Sequence, residues 1–386
     1  MFERREEVAR VLRLLEDYPA VAILGTRQIG KTTLAKAVAR RWKGPRHLFD
    51  LERRRHAIRL ADPETALEPL RGLVVIDEVQ REPGVFAALR PLADRERTPA
   101  RFLVLGSATP RFLRQTSESL AGRIAHFELE GLGLKDSGGK QWSSLWTRGG
   151  YPRSLSARSA SASFGWRRDI VRAYLERDLS DLGLRAPATT IERFWIMLAH
   201  YHGQIWNGAE FARSFAISEA TVRRYLEVLE STYMVRVLRP WAVNTGKRLV
   251  KSPKVYVADS GILHELLELR DAHAVQNHPK VGASFEGFAL YETVRRLGAS
   301  RREISFWATH QGAELDLLVV RGKQRLGFEF KHTTSPEVTK SMRIAIEDLA
   351  LDRLDVVHVG EETYPLAPKI RAVSIARLTK DVDPLA

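Results

Sequence analysis

The stretch Gly25-Thr26-Arg27-Gln28-Ile29-Gly30-Lys31-Thr32 constrains the fold more than any other part of the chain. It follows the apolar run Ala20-Val21-Ala22-Ile23-Leu24 and opens into Thr33-Leu34-Ala35-Lys36-Ala37-Val38-Ala39, whose spacing predicts a helix. A strand, a glycine-bearing turn and a helix in this order let backbone N–H groups converge at the positive end of the helix, which is a cradle for phosphate. Lys31 then reaches the outer phosphates of a nucleoside triphosphate, and Thr32, with Thr33 beside it, offers a hydroxyl to Mg²⁺.

Further apolar runs at Leu73-Val74-Val75-Ile76 and Arg101 to Leu105, separated by helical stretches, argue for a parallel sheet covered on both faces. The first of them ends in Asp77-Glu78. Asp77 is placed to hold Mg²⁺ through water opposite Thr32, and Glu78 to orient and deprotonate an attacking water. The other runs out into Gly106-Ser107-Ala108-Thr109, where Ser107 or Thr109 either senses the terminal phosphate or caps the next helix. Arg123 is a candidate for stabilising transition-state charge in its own or a neighbouring subunit, and a surface arginine is the bland alternative.

At 386 residues the chain has room for two or three cores, and it contains no cysteine, which excludes disulfides, thiolate zinc sites and cysteine nucleophiles. No run of about 18 apolar residues is present, and Met1 to Glu7 lacks the apolar core of a signal peptide, so a cytoplasmic protein without a membrane segment is expected. The net charge is +14, and residues 1–135, 136–273 and 274–386 carry +7, +6 and +1 of it. An excess of that sign in the first two thirds favours a polyanion such as DNA over a merely solvated surface. Breaks in pattern at Gly131 to Lys140 and Arg270 to Pro279 divide the chain into three expected domains with the same bounds, 1–135, 136–273 and 274–386.

In the mostly helical middle part, Asn207 to Ser218 reads as a short helix and a turn, after which Ser218 caps a second helix reaching about Glu230. Val222, Leu226 and Leu229 share one face, leaving Arg223 and Arg224 to point elsewhere. Val235 and Val237 with Lys254 to Val257 suggest a wing, with Lys247, Arg248 and Lys251 near its tip. Such a winged helix contacts DNA, although the same shape also serves as a lid or docking piece.

In the last part, Gly312 to Lys331 reads as a hairpin turning at Arg321 to Gln324. If Val320 pairs with Arg325, Asp316 faces Glu329 and Glu314 faces Lys331, with Leu315, Leu317, Val319, Leu326, Phe328 and Phe330 on the opposite, core face. Opposed carboxylates at Asp316 and Glu329 call for a cation such as Mg²⁺, and Glu286 on an upstream helix adds a third acid. A solvated face with a Glu314–Lys331 ion pair is the plain alternative. His200 and His202, two apart in a predicted helix, do not face one metal.

The phosphate loop, Asp77-Glu78, Gly106-Ser107 and Leu120-Ala121-Gly122-Arg123 resemble the prokaryotic AAA-type ATPases paired with a C-terminal domain of unknown function, the AAA_14 and DUF4143 pairing. The likeness continues through Arg148-Gly149-Gly150-Tyr151-Pro152, Tyr174 to Leu179 and Arg248 to Tyr256. The set Glu286, Asp316, Glu329 and Lys331 resembles the PD-(D/E)XK nuclease constellation, in which carboxylates hold the metal and the lysine activates water. The resemblance implies an α/β chain of three parts: a P-loop AAA-like domain, a helical and winged-helix middle, and a nuclease-like C-terminal domain. It also implies an ATP- and Mg²⁺-dependent homo-oligomer, a dimer or ring. The expected function is an ATPase that binds DNA and remodels or repairs it. A nucleotide-controlled switch on an inactive nuclease-like scaffold and an ATP-dependent nuclease are the alternatives.

Overall fold

The computed structural model describes residues 4–95, 100–106, 120–137, 141–179, 184, 186–241 and 249–385. They gather into two compact units, residues 1–131 with 231–233, and 132–230 with 234–386.

The first unit is a five-stranded sheet of order β2-β3-β4-β1-β5, every pairing in it parallel. Its strands are β1 (Ala20–Leu24), β2 (Arg46–Asp50), β3 (Gly72–Asp77), β4 (Ala100–Leu105) and β5 (Ile124–Glu128). The central three are buried almost throughout, because helices cover both faces. Among those helices are α1 (Arg5–Asp17), α2 (Lys31–Arg41) and α3 (Gly84–Ala93). Apolar side chains of β1, β3 and β4 meet Val85, Phe86, Leu89 and Leu92 of α3 in one core.

In the second unit, α4 (Trp142–Arg148), α5 (Ala160–Ala173) and α6 (Ala188–His200) precede α7 (Gly208–Phe215) and α8 (Glu219–Ser231). Asn207 caps α7, Ala216 takes a left-handed backbone in the turn, and Ser218 Oγ accepts the Thr221 N–H. Val222, Leu226 and Leu229 are buried while Arg223 and Arg224 are exposed. A small antiparallel sheet follows, with β8 (Lys254–Val257) between β6 (Gln204–Ile205) and β7 (Val235–Leu238). His202 lies beyond the end of α6, so the two histidines do not share a helix as expected.

After α9 (Ser260–Leu266) and α10 (Val281–Leu297) comes a six-stranded mixed sheet of order β13-β14-β12-β11-β10-β9. It comprises β9 (Ile304–Ala308), β10 (Glu314–Arg321), β11 (Gln324–Lys331), β12 (Arg353–His358), β13 (Tyr364–Ala367) and β14 (Ile370–Ser374). Helix α11 (Lys340–Asp348) supplies Met342 and Ala345 to the core that packs on it. Val320 pairs with Arg325, as the turn predicts, but the strict alternation does not hold. A register shift against β9 falls between Leu315 and Leu318, which puts both leucines in one core cluster. A bulge of this kind re-aims the residues inside it, and Asp316 is one of them.

Candidate functional site

The loop after β1 and the helix α2 put Lys31 and Thr32 at the carboxyl edge of the first sheet, and β3 brings Asp77 to the same edge. Gly25 is required there by close approach, since a Cβ on it would stand 2.6 Å from the carbonyl oxygen of Leu129. Gly30, at φ 110°, precedes α2 in a backbone conformation that glycine tolerates best. Lys31 is buried, and its ammonium donates to the carbonyls of Gly25 and Thr26, at 3.0 Å each. The Thr32 hydroxyl donates to Asp77 Oδ2 at 2.7 Å, and Asp77 Oδ1 accepts the Glu78 N–H at 3.0 Å. Thr26, Arg27, Gln28, Ile29 and Thr33 complete the loop and the first turn of α2.

Glu78 adopts φ 56°, a left-handed backbone that costs a non-glycine residue energy and recurs at functional sites. Its Oε2 accepts from Gln80 Nε2. Burial raises the carboxyl pKa of both Asp77 and Glu78 above the ordinary range. Asp50, directly across from Asp77 at the end of β2, adds to the first shift, and Glu52 adds to the second. A hydroxyl and carboxylate in contact, with a lysine and a second carboxylate at the same edge, fit a nucleotide and its Mg²⁺.

Strand β4 lies between β1 and β3, so the chain leaves the sheet at Gly106 between the loop and the acidic pair. Ser107 and Thr109 lie outside the described residues. Arg123 does not join the site within its own chain. It precedes β5 and its carbonyl accepts the N–H of Ala20, the first residue of β1, so it stands at the opposite edge of the sheet from the loop. There its guanidinium makes two hydrogen bonds to Asp94, at 2.6 and 2.9 Å. The expectation of an in-chain catalytic role is corrected by this placement, because the length of β1 separates Arg123 from Lys31.

Arg4 is a residue that sequence reasoning missed. Its Nη1 donates to the Glu130 carbonyl at 2.7 Å and its Nη2 to the Ile29 carbonyl at 3.0 Å, inside the phosphate loop. Only its place in a charged segment ahead of α1 hinted at it. Asp50 could have been found as an acidic strand end like Asp77.

In the second unit Glu286, Asp316, Glu329 and Lys331 do come together, from α10, β10 and β11. Asp316 and Glu329 are 6% and 4% exposed, so they do not sit on a solvated face. Asp316 Oδ2 accepts the Phe330 N–H at 3.1 Å, and Lys331 lies 2.7 Å from Glu329 and 4.0 Å from Asp316. A second lysine joins these acids from another strand. Lys254 of β8, 3% exposed, places its ammonium 3.2 Å from Glu286, 2.5 Å from Glu314 and 3.4 Å from Asp316. Tyr256 from the same strand donates to Glu286 at 2.7 Å. Among the described residues no group of three or more His, Asp or Glu side chains is arranged to hold a metal ion. Glu314 accordingly pairs with Lys254 and not with Lys331.

Burial raises the carboxyl pKa of Glu286 and of Glu329, and the Asp316 charge adds to both shifts. Burial alone would lower the Lys254 ammonium, but Glu286, Asp316 and Glu314 together outweigh it and the net shift is upward. The lysine is therefore held charged, as the local cation of the cluster.

Of the candidate DNA contacts, Arg223, Arg224 and Lys251 are exposed, while Lys247 and Arg248 lie outside the described residues. No described helix is long and apolar enough to cross a membrane.

Comparison with known proteins places three family matches along the chain. Residues 17–137 match an AAA domain, 139–273 a domain of unknown function (DUF8612), and 281–378 a domain of unknown function (DUF4143). The chain is 46% identical over 387 residues to uncharacterized proteins of Mycobacterium tuberculosis and Mycobacterium bovis, covering 100% of this chain and 87% of each relative. Among solved structures, the Walker-type ATPase PABY2304 of Pyrococcus abyssi aligns with 69% of this chain and 96% of its own at 17% identity and a TM-score of 0.47. The Holliday junction branch migration motor RuvB of Thermotoga maritima aligns with 60% and 89% at 17% identity and a TM-score of 0.29. With the phosphate loop, the acidic strand end, the family matches and the mycobacterial relatives together, the chain belongs to the family of AAA-type P-loop ATPases that carry a C-terminal DUF4143 domain.

Proposed function

We propose that this chain is a Mg²⁺-dependent ATPase that binds DNA and couples hydrolysis to DNA remodelling or repair. The contact of Thr32 with Asp77, with Glu78 next to it and Lys31 on the same sheet edge, carries the ATPase part. In this reading the loop N–H groups and Lys31 bind the phosphates, Thr32 and Asp77 hold Mg²⁺, and Glu78 orients water. Magnesium supplies charge that offsets the negative charge of the phosphates. Arg123, half-buried on the far edge of the sheet, acts on the site of a neighbouring copy in a dimer or ring.

The net charge of +14 and the exposed Arg223 and Arg224 on α8 support the DNA part, with the middle sheet and helices read as a winged helix. The test is ATP turnover with and without DNA, together with DNA affinity across a salt series. Lys31→Ala should abolish nucleotide binding, and Glu78→Gln should bind without turning over. DNA affinity should fall steeply with log salt, as phosphate contacts require. Normal turnover by the Glu78 variant, or no DNA binding at low salt, sinks the corresponding half.

One observation favours a second reading, in which nucleotide controls assembly and the nuclease-like part is an inert scaffold. Lys254 already stands beside Glu286 and Asp316, two of the carboxylates that a cleaving site would present to metal. Linear DNA incubated with Mg²⁺ or Mn²⁺ should therefore stay intact. Cutting that disappears in Asp316→Ala would overturn the scaffold and restore the nuclease alternative.

A further inference from the structure

A cavity of about 120 Å³ opens in the second unit between α4, α5 and the residues around Arg270. By this measure it exceeds the space of a single water several-fold and admits one tetrahedral anion. Ser143, Ser144 and Arg270 form an exposed rim, while Thr147 and Arg167 lie beneath at 7% and 1% exposure. Arg148 and two alanines complete the lining, in which there is no carboxylate.

The arginines are held in place by backbone and ring, which leaves charge to spare. Arg148 Nη1 donates to the Ala157 carbonyl at 2.8 Å. Arg167 Nη1 donates to the carbonyls of Thr147 and Gly261, at 2.8 and 3.1 Å, whereas its Nε is buried without a hydrogen-bond partner. The guanidinium carbons of Arg167, Arg168 and Arg270 stand 5.4, 5.1 and 5.9 Å from the centre of one ring, Phe164.

Asp259 and Glu265 favour the Arg167 charge from nearby, and each also has a partner of its own. Asp259 accepts the N–H groups of Gly150 and Ile262, Asp271 accepts that of Ala274, and Glu265 lies 3.9 Å from Arg168. Burial pulls the Arg167 guanidinium down to about 10, the mark of a charge whose local compensation is incomplete. Crowded arginines with a buried unpaired N–H, below an open rim of hydroxyls, suit a ligand that brings negative charge and several acceptor oxygens.

We propose that this cavity binds a single phosphate group, presented either as free inorganic phosphate or as the 5′-terminal phosphate of a polynucleotide. Arg148, Arg167 and Arg270 surround the anion and the Ser143 and Ser144 hydroxyls reach it from the rim. The site lies in a different unit from the phosphate loop and does not depend on the ATPase reading.

The test uses the full chain carrying Lys31→Ala, so that the loop does not compete for the probe. Calorimetric titration with inorganic phosphate is compared with anisotropy titrations of one oligonucleotide bearing a 5′-phosphate or a 5′-hydroxyl. Arg270→Ala, on the exposed rim, should leave the fold intact by circular dichroism and weaken phosphate binding about tenfold or more. Arg167→Lys, checked for folding in the same way, should weaken it further. An Arg270-dependent preference for the 5′-phosphorylated strand identifies the polynucleotide source, and saturable binding of inorganic phosphate alone identifies the free ion. The proposal is overturned if neither probe binds in a manner that Arg270→Ala changes.

Discussion

Replacing Lys254 by methionine keeps much of the side chain's length and removes its charge from among Glu286, Glu314 and Asp316. At the observed separations of 3.2, 2.5 and 3.4 Å, each attraction is on the order of 5 kcal/mol at an effective dielectric of about 20. Burying Lys254, Glu286 and Asp316 costs several kcal/mol each, and solvent screens Glu314, whose side chain is 40% exposed, so most of that attraction is offset and the pair energies are not a net stability. Deletion of one partner is different, because Glu286 and Asp316 stay behind largely buried among β8, β10 and α10. The expected loss is about 3–5 kcal/mol at pH 8, read from urea unfolding in EDTA. It should shrink as the pH is lowered toward 6. Glu286 and Glu329 have raised pKa values in the fold, so the folded protein takes up protons that the unfolded chain does not hold, and that uptake favours folding as pH falls. A variant as stable as the parent at pH 8 would refute the assignment of Lys254 as the cation of the cluster.

Burial of neutral His202 and His264, each with its pKa lowered to about 3, predicts acid sensitivity of the second unit. The unfolded chain binds protons below about 6.5 that the folded one refuses, so stability is full above that pH and falls toward 3, by about 2 kcal/mol per histidine at pH 5. Unfolding midpoints at pH 7.5 and 5 check this, and equal midpoints would contradict it. Gly25→Ala drives a methyl to 2.6 Å from the Leu129 carbonyl, and should cut nucleotide affinity at least tenfold while the second unit unfolds as before. Arg123→Ala should leave nucleotide affinity unchanged but lower turnover by about a thousandfold. Unaltered turnover would reduce Arg123 to its surface pair with Asp94.

Legibility in the sequence follows how locally each feature is encoded. Strands β1, β3 and β4 declare themselves because both faces are covered and their residues are continuously apolar. Strands β2 and β5 escape that reading because they lie at the sheet edges and are only partly covered. Arg46-His47-Leu48-Phe49-Asp50 buries little beyond Phe49, and Ile124-Ala125-His126-Phe127-Glu128 buries only Ile124 and Phe127. The hairpin register follows from the turn and was legible, whereas the shift between Leu315 and Leu318 depends on the neighbouring strand β9 and was not. Lys254 was read as part of a wing. Its burial is set by α10 and β10, tens of residues away along the chain, and no local spacing announces it. The cavity arginines, drawn from three separate segments, were invisible for the same reason.

The two hydrogen bonds of Arg4 have a consequence for how the first unit is closed off. One ends on Ile29, inside the phosphate loop, and the other on Glu130, the last residue before Gly131, where the first unit ends. The Leu129 N–H meanwhile donates to the Leu24 carbonyl at 2.7 Å, immediately ahead of that loop. The phosphate loop and the last residues of the first unit are thus joined directly, Ile29 and Leu24 on one side to Glu130 and Leu129 on the other. The Arg4 guanidinium bridges the two and the Leu129–Leu24 hydrogen bond fastens them a second time, so neither segment is positioned without the other.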